Sequence, residues 1–148
     1  MIDKTQPLLT YHYRVEIAGL FVAGFSEVSG LEQEIEIEEF KEGGMDFVHK
    51  FPVGIRYPNL ILKRGISEGS SLRAWYDLVL KAITYGRIPI PKEPIVYIAL
   101  MDSAGNEKVR FMLKFAYPVK WVGPQLNATA SEVAIETLEL AHEGLVVV

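Results

Sequence analysis

Two sets of residues in this 148-residue chain have side chains suited to proton transfer or metal binding: His12, His49 and His142, and the carboxylate run Glu34, Glu36 and Glu38. The histidines are widely separated and no H-E-x-x-H sequence occurs, so the spacing that puts two imidazoles on one helix face is absent. Each histidine reads as a surface or interface residue. The glutamates alternate with Ile35 and Ile37, as on a strand, where successive same-face residues lie roughly 6.6–6.8 Å apart. That spacing nominally suits an inverting glycosidase pair, but carboxylates on one strand face point the same way and cannot flank a bond. A solvated acidic strand face explains them better. Gly43-Gly44 and Gly105 lack the flanking Lys-Ser/Thr of a phosphate loop, and no G-x-S-x-G elbow occurs. Asn127-Ala128-Thr129 matches a glycosylation acceptor. Lys63, Arg64, Arg73, Lys81 and Arg87 could form a basic patch, but they lack the interleaved aromatics of a nucleic-acid platform and read as a helix flank. No catalytic, metal or cofactor site is expected.

Composition points the same way. Cysteine is absent, which removes disulfides, zinc ribbons and thiol catalysis. The chain is 49% hydrophobic and 23% charged with 12 glycines and 8 prolines, which excludes disordered and collagen-like classes. Its length suits one domain over residues 1–148. The longest unbroken apolar run, residues 95–101, is far below the roughly 18 residues of a membrane span. No apolar stretch backs a basic start at Met1-Ile2-Asp3-Lys4, so no secretory signal is expected. A mean hydropathy of +0.17 is high for so small a domain and suits a subunit that buries surface against other copies. The net charge of −4 disfavours binding through phosphate neutralisation. That charge is unevenly spread: residues 32–46 carry seven acidic groups against one basic, and residues 47–92 carry eight basic against two acidic. Two solvated faces, or complementarity between copies, would account for it.

The elements follow from hydrophobic period. Tyr11, Tyr13, Val15 and Ile17 alternate with polar residues as a half-buried strand. Residues 20–28 read as a second strand or bulged return around Gly24, and Ile35 and Ile37 mark a third strand. From Glu42-Gly43-Gly44 a loop runs past Pro52 and Gly54, and residues 59–63 form the next strand. Leu72, Trp75, Tyr76, Val79, Leu80 and Ile83 make one apolar stripe of a helix over about residues 70–85, with Ser70 or Ser71 as N-cap and Gly86 after its end. Pro89, Pro91 and Pro94 make a stiff connector, residues 95–101 a strand buried on both faces, and residues 102–106 its turn. Val109, Phe111, Leu113 and Phe115 return as a strand that residues 119–122 continue. At the C-terminus, Glu132, Glu136, Glu139 and Glu143 recur at helical spacing.

Whole phrases of the chain resemble the tail-tube proteins of contractile phages and of phage-tail-like extracellular contractile injection systems. They include Tyr13-Arg14-Val15-Glu16-Ile17, the stretch 23–31, Glu42-Gly43-Gly44, the stretch 57–65, Ala116-Tyr117-Pro118-Val119-Lys120-Trp121, and the stretches 131–140 and 141–145. Phe51-Pro52-Val53-Gly54 stands where many phage members have a Pro-Gly pair, a departure toward the injection-system branch. The resemblance implies a mainly β (α+β) fold, an antiparallel sandwich or barrel-like domain with one helix, in which the C-terminal stretch is a strand despite its helical spacing. It also implies a non-enzymatic inner-tube subunit whose hexameric rings stack into a rigid hollow tube inside a sheath.

The implied partners are other copies of the chain, a sheath protein, baseplate or tube-initiator and tube-terminator proteins, and cargo or DNA in the lumen. No cofactor and no stable membrane insertion by this chain alone are implied. Assembly would take place in the bacterial cytoplasm, before incorporation into an extracellular particle or virion tail. A baseplate-proximal initiator paralogue, or a monomeric ligand-binding β-domain, are the alternatives. Within the favoured reading, Gly43, Gly44, Phe47 and Phe51 are expected to reach a neighbouring subunit. Glu34, Glu36 and Glu38 are expected to meet a basic segment containing Lys63 and Arg64 on another copy.

Overall fold

A computed structural model of the chain describes residues 7–17, 20–22, 24–44, 46–68, 72–86 and 95–148. Period-2 patterning gives β1 (Tyr13–Ile17), with Val15 buried and Arg14 exposed. The apolar return that follows is two strands of different sheets, β2 (Leu20–Val22) and β3 (Phe25–Ser29), separated at Gly24, whose φ of +87° favours a residue without a Cβ. Then come β4 (Glu34–Phe40), β5 (His49–Arg56), β6 (Leu60–Gly65), α1 (Leu72–Tyr85), β7 (Val96–Met101), β8 (Glu107–Lys114), β9 (Tyr117–Val122), β10 (Ile135–Ala141) and β11 (Gly144–Val147).

Nine of these strands make two antiparallel sheets, ordered β11-β8-β7-β1-β2 and β3-β6-β10-β9. Their facing sides share one core of Val15, Leu60, Leu62, Val96, Ile98, Leu113, Ala116, Leu138 and Leu140, closed at one end by Leu72 of α1. The Tyr13 hydroxyl ties the sheets by donating to the Phe25 carbonyl at 2.8 Å. Burial, reinforced by the Glu27 charge, pushes that phenol's ionisation above its ordinary range and keeps the donor in place. Residues 119–122 do not continue β8 as the pattern predicts. Phe115 adopts φ of +53°, and the chain crosses there into the other sheet as β9.

At α1 and at the C-terminus the hydrophobic period alone misleads. Leu80 and Ile83 belong to the helical stripe by spacing, yet Ile83 is 76% exposed, because the inward face of α1 runs through Leu72, Trp75, Tyr76 and Ala82 and passes beside it. Gly86 takes the left-handed conformation expected after the helix, with φ of +66°. The proposed N-cap serines and the connector prolines lie outside the described residues. At the C-terminus the strand implied by resemblance prevails over the helical spacing. In β10 every second residue, Glu136, Leu138 and Leu140, is buried. Glu136 is 2% exposed, accepts from Trp121 Nε1 at 3.0 Å and stands 3.9 Å from Arg64 Nε, so a carboxylate serves at an inward position without being left unpaired.

Candidate assembly interface

The segment from 43 to 54, expected as a loop, is the distal half of a long β-hairpin. β4 and β5 pair only with each other, from Glu34 opposite Arg56 to Phe40 opposite His49, and the turn between them carries Gly44 at φ of +87°. A bulge between Glu36 and Ile37 accommodates Pro52 and Val53. That irregularity is why residues 47–54 show no clear period in sequence.

Register sorts the hairpin into two unlike faces. Glu34, Glu36 and Glu38 line one face and lead toward an aromatic tip, where Phe40 stands opposite His49. The His49 ring there lies edge-on to Phe47 at 4.8 Å and stacked on Phe51 at 6.1 Å. Ile35, Ile55, Ile37 and Pro52 line the other face, with Glu39 opposite Lys50 nearer the tip. Eight large apolar side chains of this ribbon (Ile35, Ile37, Phe40, Phe47, Val48, Phe51, Val53 and Ile55) are between 43% and 62% exposed. A lone two-stranded ribbon in water is marginal, and contiguous exposed apolar surface of this kind marks a contact site.

The charges differ in the same way. Among the described residues, Glu34, Glu36 and Glu38 have no ion pair within the subunit, although Arg56 stands opposite Glu34 in register. On the sandwich, several charges are paired within the subunit. Arg110 bonds Glu107, lies 3.9 Å from Glu16 and covers the Tyr97 ring at 4.6 Å. The bond from Arg110 holds the Glu107 carboxyl below the usual range, and Glu107 in turn pushes the Arg110 guanidinium above its own. Neither Lys63 nor Arg64 joins the hairpin. Lys63 pairs with Glu27 at 3.5 Å, and the Arg64 side chain turns inward to Glu136 and to the Phe25 ring, 5.9 Å away.

The acidic face, the two glycines and the two phenylalanines that the sequence expects at a subunit contact thus lie together on one hairpin. Sequence reasoning missed Ile35, Ile37, Phe40, Val48, Val53 and Ile55 as exposed residues. The available signal was that Phe51, Val53 and Ile55 follow an alternating Glu/Ile strand closely enough in sequence to pair with it alone. Among the described residues no three His, Asp or Glu side chains gather as metal ligands, and no helix is long and apolar enough to cross a membrane.

Residues 9–146 match the family described as T4-like virus tail tube protein gp19. The chain belongs to the tail tube protein family. No curated protein sequence matches this tail tube protein significantly. Solved structures share its fold. A chain of the sheath–tube complex of the extracellular contractile injection system PVC, in its extended state, is 19% identical over 97% of this chain and 93% of its own, with a TM-score of 0.81. A chain of the tube-terminating cap of the anti-feeding prophage is 23% identical over 99% and 94%, with a TM-score of 0.80. Hcp1 from Flavobacterium johnsoniae is more distant, 12% identical over 92% and 94%, with a TM-score of 0.57. The protein is a structural subunit of a tail tube.

Proposed function

We propose that this tail tube protein, acting as one unit over residues 1–148, forms the trunk of the inner tube of a contractile injection system or phage tail. Six copies close a ring, rings stack into a hollow conduit for cargo or DNA, and the work of penetration comes from a surrounding sheath. Initiator or baseplate and terminator proteins bound the tube. The fold likeness to chains of sheath–tube, terminator-cap and baseplate complexes supports these partners. The role is mechanical rather than catalytic, and it places the protein in an extracellular particle or virion after assembly in the bacterial cytoplasm.

The observation that carries the contact is the β4–β5 hairpin, whose apolar side chains and unpaired glutamates are unsatisfied in one copy. Gly43 and Gly44 at its turn, Phe47 and Phe51 at its tip, and Glu34, Glu36 and Glu38 along its face lie between copies. Lys63, with its partner Glu27, is the surface basic group that such a face can meet. Arg64 supports that strand from inside. Negative-stain electron microscopy over a concentration series tests the reading. Wild-type protein gives uniform rings or stacked tubes, and the double variant Phe47→Ala, Phe51→Ala gives dispersed subunits. Small particles from the wild type at every concentration would instead indicate an initiator that waits for its baseplate.

A further inference from the structure

A ribbon that must seat on another copy is effective only if it leaves the body at a fixed angle. We propose that His142, with Gly30 and Asn59, sets that angle; the inference rests on the hairpin being the contact between copies. β3 pairs with β6 up to Ser29 opposite Ile61, and pairing resumes in the hairpin at Glu34 opposite Arg56. Residues 30–33 on one leg and 57–59 on the other therefore lie outside both ladders. A neck without ladder bonds is ordinarily where local opening concentrates.

Here both legs are held. On the first, Gly30 has φ of +90°, and a Cβ on it would overlap the Asn59 carbonyl oxygen and lie 3.1 Å from Leu60 Cα, so the legs touch backbone to backbone. The Glu32 N–H donates to the Gly30 carbonyl at 2.8 Å, and Leu31 between them packs against the core. On the second, Pro58 fixes its own φ and confines Tyr57 to extended geometry. Asn59 Nδ2 donates to Glu139 Oε1 at 2.9 Å, which ties this leg to β10.

His142 joins the second leg to the rest of the body. It is buried in the turn between β10 and β11, where the chain passes from one sheet to the other. Nε2 lies 3.1 Å from the Pro58 carbonyl oxygen and Nδ1 lies 3.2 Å from the Gly144 carbonyl oxygen. Whichever nitrogen carries the hydrogen, it faces a main-chain acceptor. The Tyr57 ring packs against the imidazole at 5.5 Å between centroids. A neutral imidazole donates to one of these two carbonyls at a time, whereas an apolar residue would donate to neither and would leave the hairpin root without this tie to the turn before β11.

The absence of cysteine makes the test direct. Nitroxide labels on Gly43→Cys, at the hairpin turn, and Ser103→Cys, in the turn before β8, report the angle as a distance distribution in the dispersed subunit. The otherwise wild-type subunit gives one narrow peak. His142→Ala loses it for a broad distribution while amide-exchange protection of β6 and β10 is retained, and His142→Gln restores the peak in part. If His142→Ala does not fold, Asn59→Ala loosens the same root without opening the core and shows the same broadening. An unchanged narrow peak in whichever variant folds overturns the proposal. A broad peak in a variant that still assembles tubes at wild-type concentrations confirms the mount but overturns the role of the hairpin between copies.

Discussion

Leu60, Leu62, Leu138 and Leu140 at the centre of the sandwich are fully buried, whereas Ile35, Ile37, Phe51 and Ile55 on the hairpin are more than half exposed. The two regions use the same kinds of side chain in the same kind of strand. What differs is the second layer. The central strands of the sandwich share a core between two sheets, while β4 and β5 have only each other. Hydrophobic patterning therefore specifies that a surface will be covered, and topology decides whether the cover is the same chain or another one.

The comparison can be broken most severely from the core side. Glu136→Ala leaves Arg64 and the Trp121 N–H facing a space without a carboxylate, and it should cost about 3–5 kcal/mol of subunit stability, read by urea denaturation. Leu138→Ala is expected to cost about 2–5 kcal/mol in the same measurement. Both variants should lose tubes because they lose the subunit. The hairpin predicts the opposite pattern: Ile35→Ser with Ile37→Ser should leave subunit stability within about 0.5 kcal/mol while abolishing assembly. If that pair unfolds the subunit as Leu138→Ala does, the two regions are not distinct.

The difference was only partly legible in the residues. Val15 and Leu113 could be placed in the core by alternation and Ile98 by its continuous apolar run, both local properties of the chain, and the C′ glycine of α1 was legible for the same reason. Whether Ile35 and Ile37 are covered depends on a sheet contributed by distant segments, which alternation does not encode. Ile83 fails similarly: helical spacing puts it on the apolar stripe, but the face of α1 that is covered runs through Leu72 and Ala82. In β10, Glu136 and Glu139 fit a helix by spacing, and only the family resemblance identified the strand. A carboxylate at an inward strand position breaks the expected pattern unless its partners, Trp121 and Arg64, are already known.

Two smaller effects sharpen the same contrast. Raising salt from about 0.1 M to about 1 M shortens the screening length from ~10 Å to ~3 Å. Tubes held partly by the unpaired glutamates of β4 should then loosen, as seen in sedimentation, while isolated subunits, held by an apolar core, keep their melting temperature. Tubes indifferent to salt would mean that the apolar faces alone make the contact. The smallest effect lies at the turn before β8. The Asp102 carboxylate accepts from the main chain of Asn106 at 2.9 Å and of Ala104 at 3.0 Å, and the Asn106 bond foremost holds its carboxyl below the usual range. A depressed value in the folded state means that the turn's support is complete above the ordinary carboxylate range and is lost as the pH falls through the lowered value. The Asn106 amide resonance should report this loss in acid, and Asp102→Asn should flatten the titration without altering assembly at neutral pH.

The two faces of the hairpin are chemically unlike, one aliphatic and one acidic with an aromatic tip. A contact in which the ribbon of one copy lies on a different region of the next is head to tail, and repeating it gives an assembly with a direction. Where that contact joins one ring to the next, one end of the stack presents ribbons without seats, and the other presents seats without ribbons. Elongation at the two ends then proceeds at different rates, and a single protein shaped like either end is enough to start or to stop growth.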